Sequence, residues 1–93
     1  MTKEVYYEIR GPRFVTFEKG RTADWRYLRR QTLTIAAREN VNAGLYTHNE
    51  YFNRWDFLGH TTPEGMWYDF GGHGPYVLDE DGNGFSKVST KEQ

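Results

Sequence analysis

The stretch Asp24–Glu39, DWRYLRRQTLTIAARE, decides between an all-β chain and a mixed one. Trp25, Leu28, Thr32, Ile35 and Ala36 recur at helical spacing and gather on one side of a 100° wheel. Thr22 or Asp24 supplies an N-terminal cap. Arg38 suits the carbonyl end of a helix, and Asn40, Asn42 and Gly44 are stop signals. The competing signal is the strand propensity of Thr32-Leu33-Thr34-Ile35. The periodicity predicts a helix over about 24–39 with Trp25, Leu28 and Ile35 turned inward.

The flanking segments carry the other period. Val5, Tyr7 and Ile9 alternate with Tyr6, Glu8 and Arg10, as in a half-buried strand. Gly11-Pro12 suits a tight turn, and Arg13–Phe17 is a second β-rich run, so the two form a predicted hairpin that Lys19-Gly20-Arg21 breaks. After the helix, Thr47-His48-Asn49-Glu50 has capping-box spacing for a short helix through Trp55. Trp55 and Phe57, however, alternate with Arg54 and Asp56, and Met66–Phe70 is strand-like across the turn residues Pro63-Glu64-Gly65. A strand pair is the favoured reading. Tyr76–Leu78 and Phe85–Val88 flank Asp79–Gly84, a hairpin signal, and Ser89–Gln93 reads as a frayed tail. The expected fold is a single α+β domain over 1–93: an antiparallel sheet of about four to six strands, built from hairpins, with one main helix packed on it.

Composition narrows the function classes. Ninety-three residues fit one domain. With no cysteine there is neither a disulfide framework nor a thiolate metal site. The 17% aromatic content supplies the large buried areas that a small core needs. Mean hydropathy is −0.89, no apolar run reaches spanning length, and the N-terminus has no signal-like segment, so the expectation is a cytoplasmic protein without a membrane partner. The net charge of −1 argues against a globally basic nucleic-acid binder. It hides an asymmetry: residues 1–40 hold nine Lys/Arg and five Asp/Glu, whereas residues 41–93 hold three and eight. Oppositely charged halves can attract each other within one fold or drive self-association.

Motifs for chemistry are weak. Asp56-Phe57-Leu58-Gly59-His60 is echoed by Asp69-Phe70-Gly71-Gly72-His73, and two Asp with two His, or His48 in addition, could ligate a divalent ion. On a strand, however, residues four apart lie about 13 Å apart. The favoured reading is two strands that each end in a Gly turn. Asp79–Gly84 matches the start of an EF-hand loop, but Thr90 stands where the bidentate Glu belongs and no helix precedes it, so a hairpin tip is favoured. Gly71-Gly72-His73-Gly74 lacks the Lys-Ser/Thr of a P-loop. No nucleophile elbow is present. No catalytic, cofactor or metal residue is assigned.

The informative feature is arginine interleaved with aromatics. Arg26 and Arg30 form a like-charge i,i+4 pair, Arg29 lies beside them, and Arg10, Arg13 and Arg21 come from the neighbouring hairpin and loop. Tyr6 and Tyr27 fall away from the presumed core positions. Tyr, Trp and Arg dominate binding hot spots. The sequence therefore points to a non-enzymatic binding module that contacts a protein partner through Arg10, Arg13, Arg21, Arg26, Arg29, Arg30, Tyr6 and Tyr27, with no cofactor. The alternatives are a nucleic-acid binder using the same arginines on phosphates and a metal-dependent enzyme around Asp56, His60, Asp69 and His73. Small size and composition also associate the chain with phage- or mobile-element-type accessory and inhibitor proteins, an association that rests on no motif.

Overall fold

A computed structural model describes residues 3–78 and 85–87. Its elements run β1 (Val5–Arg10), a 3₁₀ turn (Pro12–Phe14), β2 (Thr16–Thr22), α1 (Trp25–Glu39), β3 (Ala43–Asn49), β4 (Arg54–Thr61), β5 (Met66–Asp69), β6 (Tyr76–Leu78) and β7 (Phe85–Lys87). The strands form one antiparallel sheet in the order β2-β1-β3-β4-β5-β6-β7. This is the expected α+β architecture of hairpins with one helix, the three-residue β7 taking the strand count to seven.

The helix forms where the periodicity places it. The Asp24 carboxylate accepts from the Arg26 and Tyr27 backbone N–H groups at 3.0 and 3.1 Å, and the Thr22 hydroxyl accepts from Asp24 N–H. Asn40 closes the helix in the left-handed region at φ 57°, as C-terminal caps require. Thr32, the residue that argued for a strand, turns its hydroxyl onto the Leu28 carbonyl at 2.7 Å. That bond satisfies a buried polar group and lets a β-branched residue sit on the core side. Leu28, Thr32, Ile35 and Ala36 are fully buried against Tyr7, Ile9, Ala43, Leu45 and Trp67. Trp25 departs from its expected inward position. At the first helical turn it is 37% exposed, beside Val5 and the end of β3.

Three local readings are corrected. The first hairpin is not a two-residue turn: Gly11 N–H reaches the Val15 carbonyl at 2.7 Å and Arg13 and Phe14 take positive φ, so the second strand starts at Thr16 rather than Arg13. Lys19-Gly20-Arg21 does not break that strand. Gly20 pairs with Tyr7, and the Tyr7 ring occupies the space its missing side chain leaves, so this glycine marks a close approach. Gly44 is likewise no stop signal. It lies inside β3, a strand the sequence reading did not assign, beneath the rings of Tyr46 and Phe57. Asn49, rather than Thr47, governs the next turn by accepting from Phe52 N–H, and β4 and β5 form the favoured strand pair. β6 and β7 pair as the final hairpin requires. Its tip, the EF-hand-like run at 79–84 and the tail 89–93 lie outside the described residues.

Two bulges decide which side chains share a face. Arg10 pairs with Thr16 while Ile9 pairs with Glu18, leaving Phe17 as an extra residue. Leu45 pairs with Gly59 while Tyr46 pairs with Phe57, leaving Leu58 extra and Gly59 at φ 149°. The second bulge resets the alternation of β4, so that His60 joins Trp55 and Phe57 on one face despite its even number.

Candidate functional site: an open aromatic face of the sheet

The helix covers one face of the sheet. Strand register assigns the other. From β1 it carries Tyr6, Glu8 and Arg10, and from β2 Thr16, Lys19 and Arg21. From β3 come Gly44, Tyr46 and His48, from β4 Trp55, Phe57 and His60, and from β5 Tyr68. α1 contacts β3 and β4 from the opposite face, and on this one the turn residues Gly11, Pro12 and Asn42 border the sheet beside Arg10 and Gly44. Tyr6 is 46% exposed and Trp55 and Phe57 each 38%.

The rings hold one another. Tyr46 and Phe57 lie 5.1 Å apart, His48 and Trp55 5.2 Å apart edge-on, and His60 stacks on Tyr68 at 5.2 Å. Arg10 sits among them. Its guanidinium lies 4.3 Å from the Tyr46 ring centre and 5.4 Å from that of Trp55, and its Nε donates to Glu8 at 2.9 Å. Cation–π contact and the carboxylate hold this side chain in one orientation. Towards the β2 edge, Arg21 donates to the Tyr6 hydroxyl, pairs with Glu4 at 3.1 Å and lies over the Tyr6 ring. A shallow groove of about 340 Å³ runs between Arg10, Gly44, Tyr46, Phe57 and His60.

The charge distribution across the sheet is uneven. Glu18, Asp56 and Asp69 pair opposite Ile9, Thr47 and Gly59, which places them on the helix side. The open face keeps Arg10, Lys19 and Arg21 against Glu8 and the adjoining Glu4.

On the helix side, Glu18 is a hub. Its carboxylate accepts from the hydroxyls of Tyr7 at 2.7 Å and Tyr27 at 2.6 Å and from the Gln31 amide at 2.7 Å. Burial pushes this carboxyl up, but the hydrogen bonds from Tyr27, Tyr7 and Gln31, with the charge of Arg38, outweigh it and hold it below its ordinary value. The Tyr7 hydroxyl is raised well above its usual range by burial first and then by Glu18. Tyr27 is raised chiefly by its bond to Glu18, with burial second.

The residues singled out from sequence are divided by the sheet. Tyr6, Arg10 and Arg21 belong to the open face. Arg13 is in the exposed turn beyond β1. Arg26, Arg29 and Arg30 are on α1, on the opposite side of the sheet. Tyr27 is not a free contact ring: it packs edge-on against Tyr7 and spends its hydroxyl on Glu18. Tyr46, Trp55, Phe57 and Tyr68 were missed as site residues, and His48 and His60 were read only as metal ligands. The alternations Tyr46-x-His48 and Trp55-x-Phe57 were the available signal; the bulge at Leu58 concealed His60.

The four residues of the echo do not converge. Asp56 and His60 lie on opposite faces, Asp56 held by Arg54 at 3.0 Å and by Asn49 at 3.3 Å. Gly59 lies inside β4, so the first copy does not end in a Gly turn; only the second does, with Asp69 accepting from Gly71 and His73 N–H and lying 3.3 Å from the His73 ring. Among the described residues, no three His, Cys, Asp or Glu side chains group to hold a metal. Among them, no helix is long and apolar enough to cross a membrane. No protein-family model, curated protein or solved structure matches the chain.

Proposed function

We propose that the protein is a non-enzymatic binding module that docks a protein partner on the open face of its sheet. Arg10, Tyr46, Trp55 and Phe57 form the centre of the contact, and Tyr6 and Arg21 its margin. The supporting observation is that the face left bare by α1 concentrates Tyr, Trp and a fixed Arg, the residues that dominate interface hot spots. The rings are already packed against one another, so little side-chain freedom is lost on docking. Lys19, which makes no ion pair among the described residues, favours an acidic partner at the margin. Size and composition extend the reading, by association alone, to an accessory or inhibitor protein of the phage or mobile-element kind.

Aromatic rings on adjacent strands also suit base stacking, which keeps single-stranded nucleic acid as the second reading. Arg10 and Arg21 are matched by Glu8 and Glu4, however, which lowers their value to phosphate. The test is quantitative affinity capture with wild type, with Trp55→Ala/Phe57→Ser and with Arg26→Glu/Arg30→Glu, each first shown to be folded. Loss of a stoichiometric protein partner in the sheet variant alone supports the reading. Retention in that variant overturns it. Binding to an oligonucleotide that weakens steeply with salt favours the second reading.

A further inference from the structure

The outer edge of β2 is the second surface of interest. β2 ends the sheet order, and among the described residues nothing pairs with its far side. Beyond the bulge at Phe17, Glu18–Thr22 pair in unbroken register with Val5–Ile9, so five consecutive residues offer a regular edge. A shallow groove of about 520 Å³ wraps this edge, lined by Tyr6, Tyr7, Lys19, Gly20 and Arg21. An unpaired edge is a template for another strand unless something blocks it.

A second copy of the chain is a poor occupant. Antiparallel pairing of two β2 strands about a twofold axis must set residues of the same face opposite each other. Centred on Gly20, the register opposes Lys19 and Arg21 twice. Centred on Lys19 it opposes two lysines, and centred on Glu18 two glutamates. Directly opposed like charges destabilise a sheet. The side chains that repel a copy suit a strand of opposite sign. Lys19 makes no ion pair among the described residues, and it shares the open face with Arg21. Residues two apart on a strand are about 7 Å apart, so acidic side chains at alternate positions of an added strand would pair with Lys19 and share Arg21 with Glu4.

We infer that the β2 edge accepts, by strand addition, an extended segment of a protein partner with acidic residues at alternate positions. This rests on the reading of the chain as a protein-binding module and names the part of the partner that meets its edge. The added strand continues the sheet, so the same partner reaches the open face without a gap.

The probes are the peptide Val-Glu-Val-Glu-Val-Glu-Val, its Lys counterpart and the acidic peptide with alternate amides N-methylated, titrated into the 15N-labelled full chain. The expected result is that the acidic peptide shifts and protects amides of Glu18–Thr22, while the Lys and N-methylated peptides do not. Lys19→Glu weakens the acidic peptide by about threefold to tenfold, the size of cross-strand charge pairing, and lets the Lys peptide bind. Binding of both charged peptides alike, or shifts confined to Trp55 and Phe57, overturns strand addition. Absence of any shift at millimolar peptide also overturns it. The proposed open-face docking fails separately, through the capture experiment with the sheet variant, in which β2 is unaltered.

Discussion

Replacing Glu18 by Ala removes an acceptor that serves three donors at once, at 2.6 to 2.7 Å. The three consequences differ in size. Tyr7 is only 5% exposed, so its hydroxyl loses its carboxylate partner in a dry place, which costs about 1–3 kcal/mol. Tyr27 is 41% exposed and turns its hydroxyl to water, as half-buried Gln31 does in part, so each adds about 0.5 kcal/mol. The expected loss is about 2–4 kcal/mol, a large share of the roughly 5–15 kcal/mol that holds a small domain together. In a domain of this size that lowers Tm by roughly 10–30 °C. Urea denaturation at neutral pH measures it, with Tyr7→Phe and the double variant completing a cycle. The pair should couple by about 1 kcal/mol, because each single change removes the same bond. The pH profile has a required sign. The carboxyl is depressed in the folded state, so its stabilisation is present above the unfolded value of about 4.3 and is lost as pH falls through the folded one. A loss below about 0.5 kcal/mol, additive effects, or a wild-type advantage that grows towards acid would refute the hub.

Other outcomes follow from single positions. Gly59→Ala should destabilise by more than about 3 kcal/mol in calorimetry, since φ is 149° and an added methyl meets the Tyr68 carbonyl and the Trp67 ring. Asp24→Ala should cost about 1 kcal/mol in urea unfolding by releasing two N–H groups of α1, and Asp24→Asn far less. Between pH 9 and 12, stability should decline, because Tyr7 and Tyr27 carry raised folded-state values whose contribution is complete below the unfolded tyrosine value of about 10 and is lost as pH climbs through the folded values; a flat chemical-denaturation profile there would contradict this.

The sequence made the helix legible because its apolar spacing, Asp24 cap and Asn40 stop agree with one another. The first strand followed from period-two alternation and the last hairpin from the turn residues at 79–84. What stayed hidden were glycines whose reason is a distant ring. Gly20 sits opposite Tyr7 and Gly44 lies under Tyr46 and Phe57, so each looked like punctuation in one dimension and is a packing feature in three. Misreading Gly44 cost β3, and with it the strand that joins the two hairpin halves of the sheet. The arginines stood out by number, but the turn from β2 into α1 carries the chain across the sheet and divides them between two sides. A bulge likewise has no one-residue signature, which is why His60 was placed with Asp56 rather than with Phe57.

The most direct test of the open-face docking is solvent-exchange mapping of the complex captured from the cell, with the bound and free chain compared residue by residue. Protection should fall on β1, β3 and β4 and on the tryptophan indole of Trp55, while the amides and arginines of α1 stay as they are in the free chain. Protection centred on Arg26, Arg29 and Arg30, with Trp55 unchanged, would contradict it and return the contact to the helix.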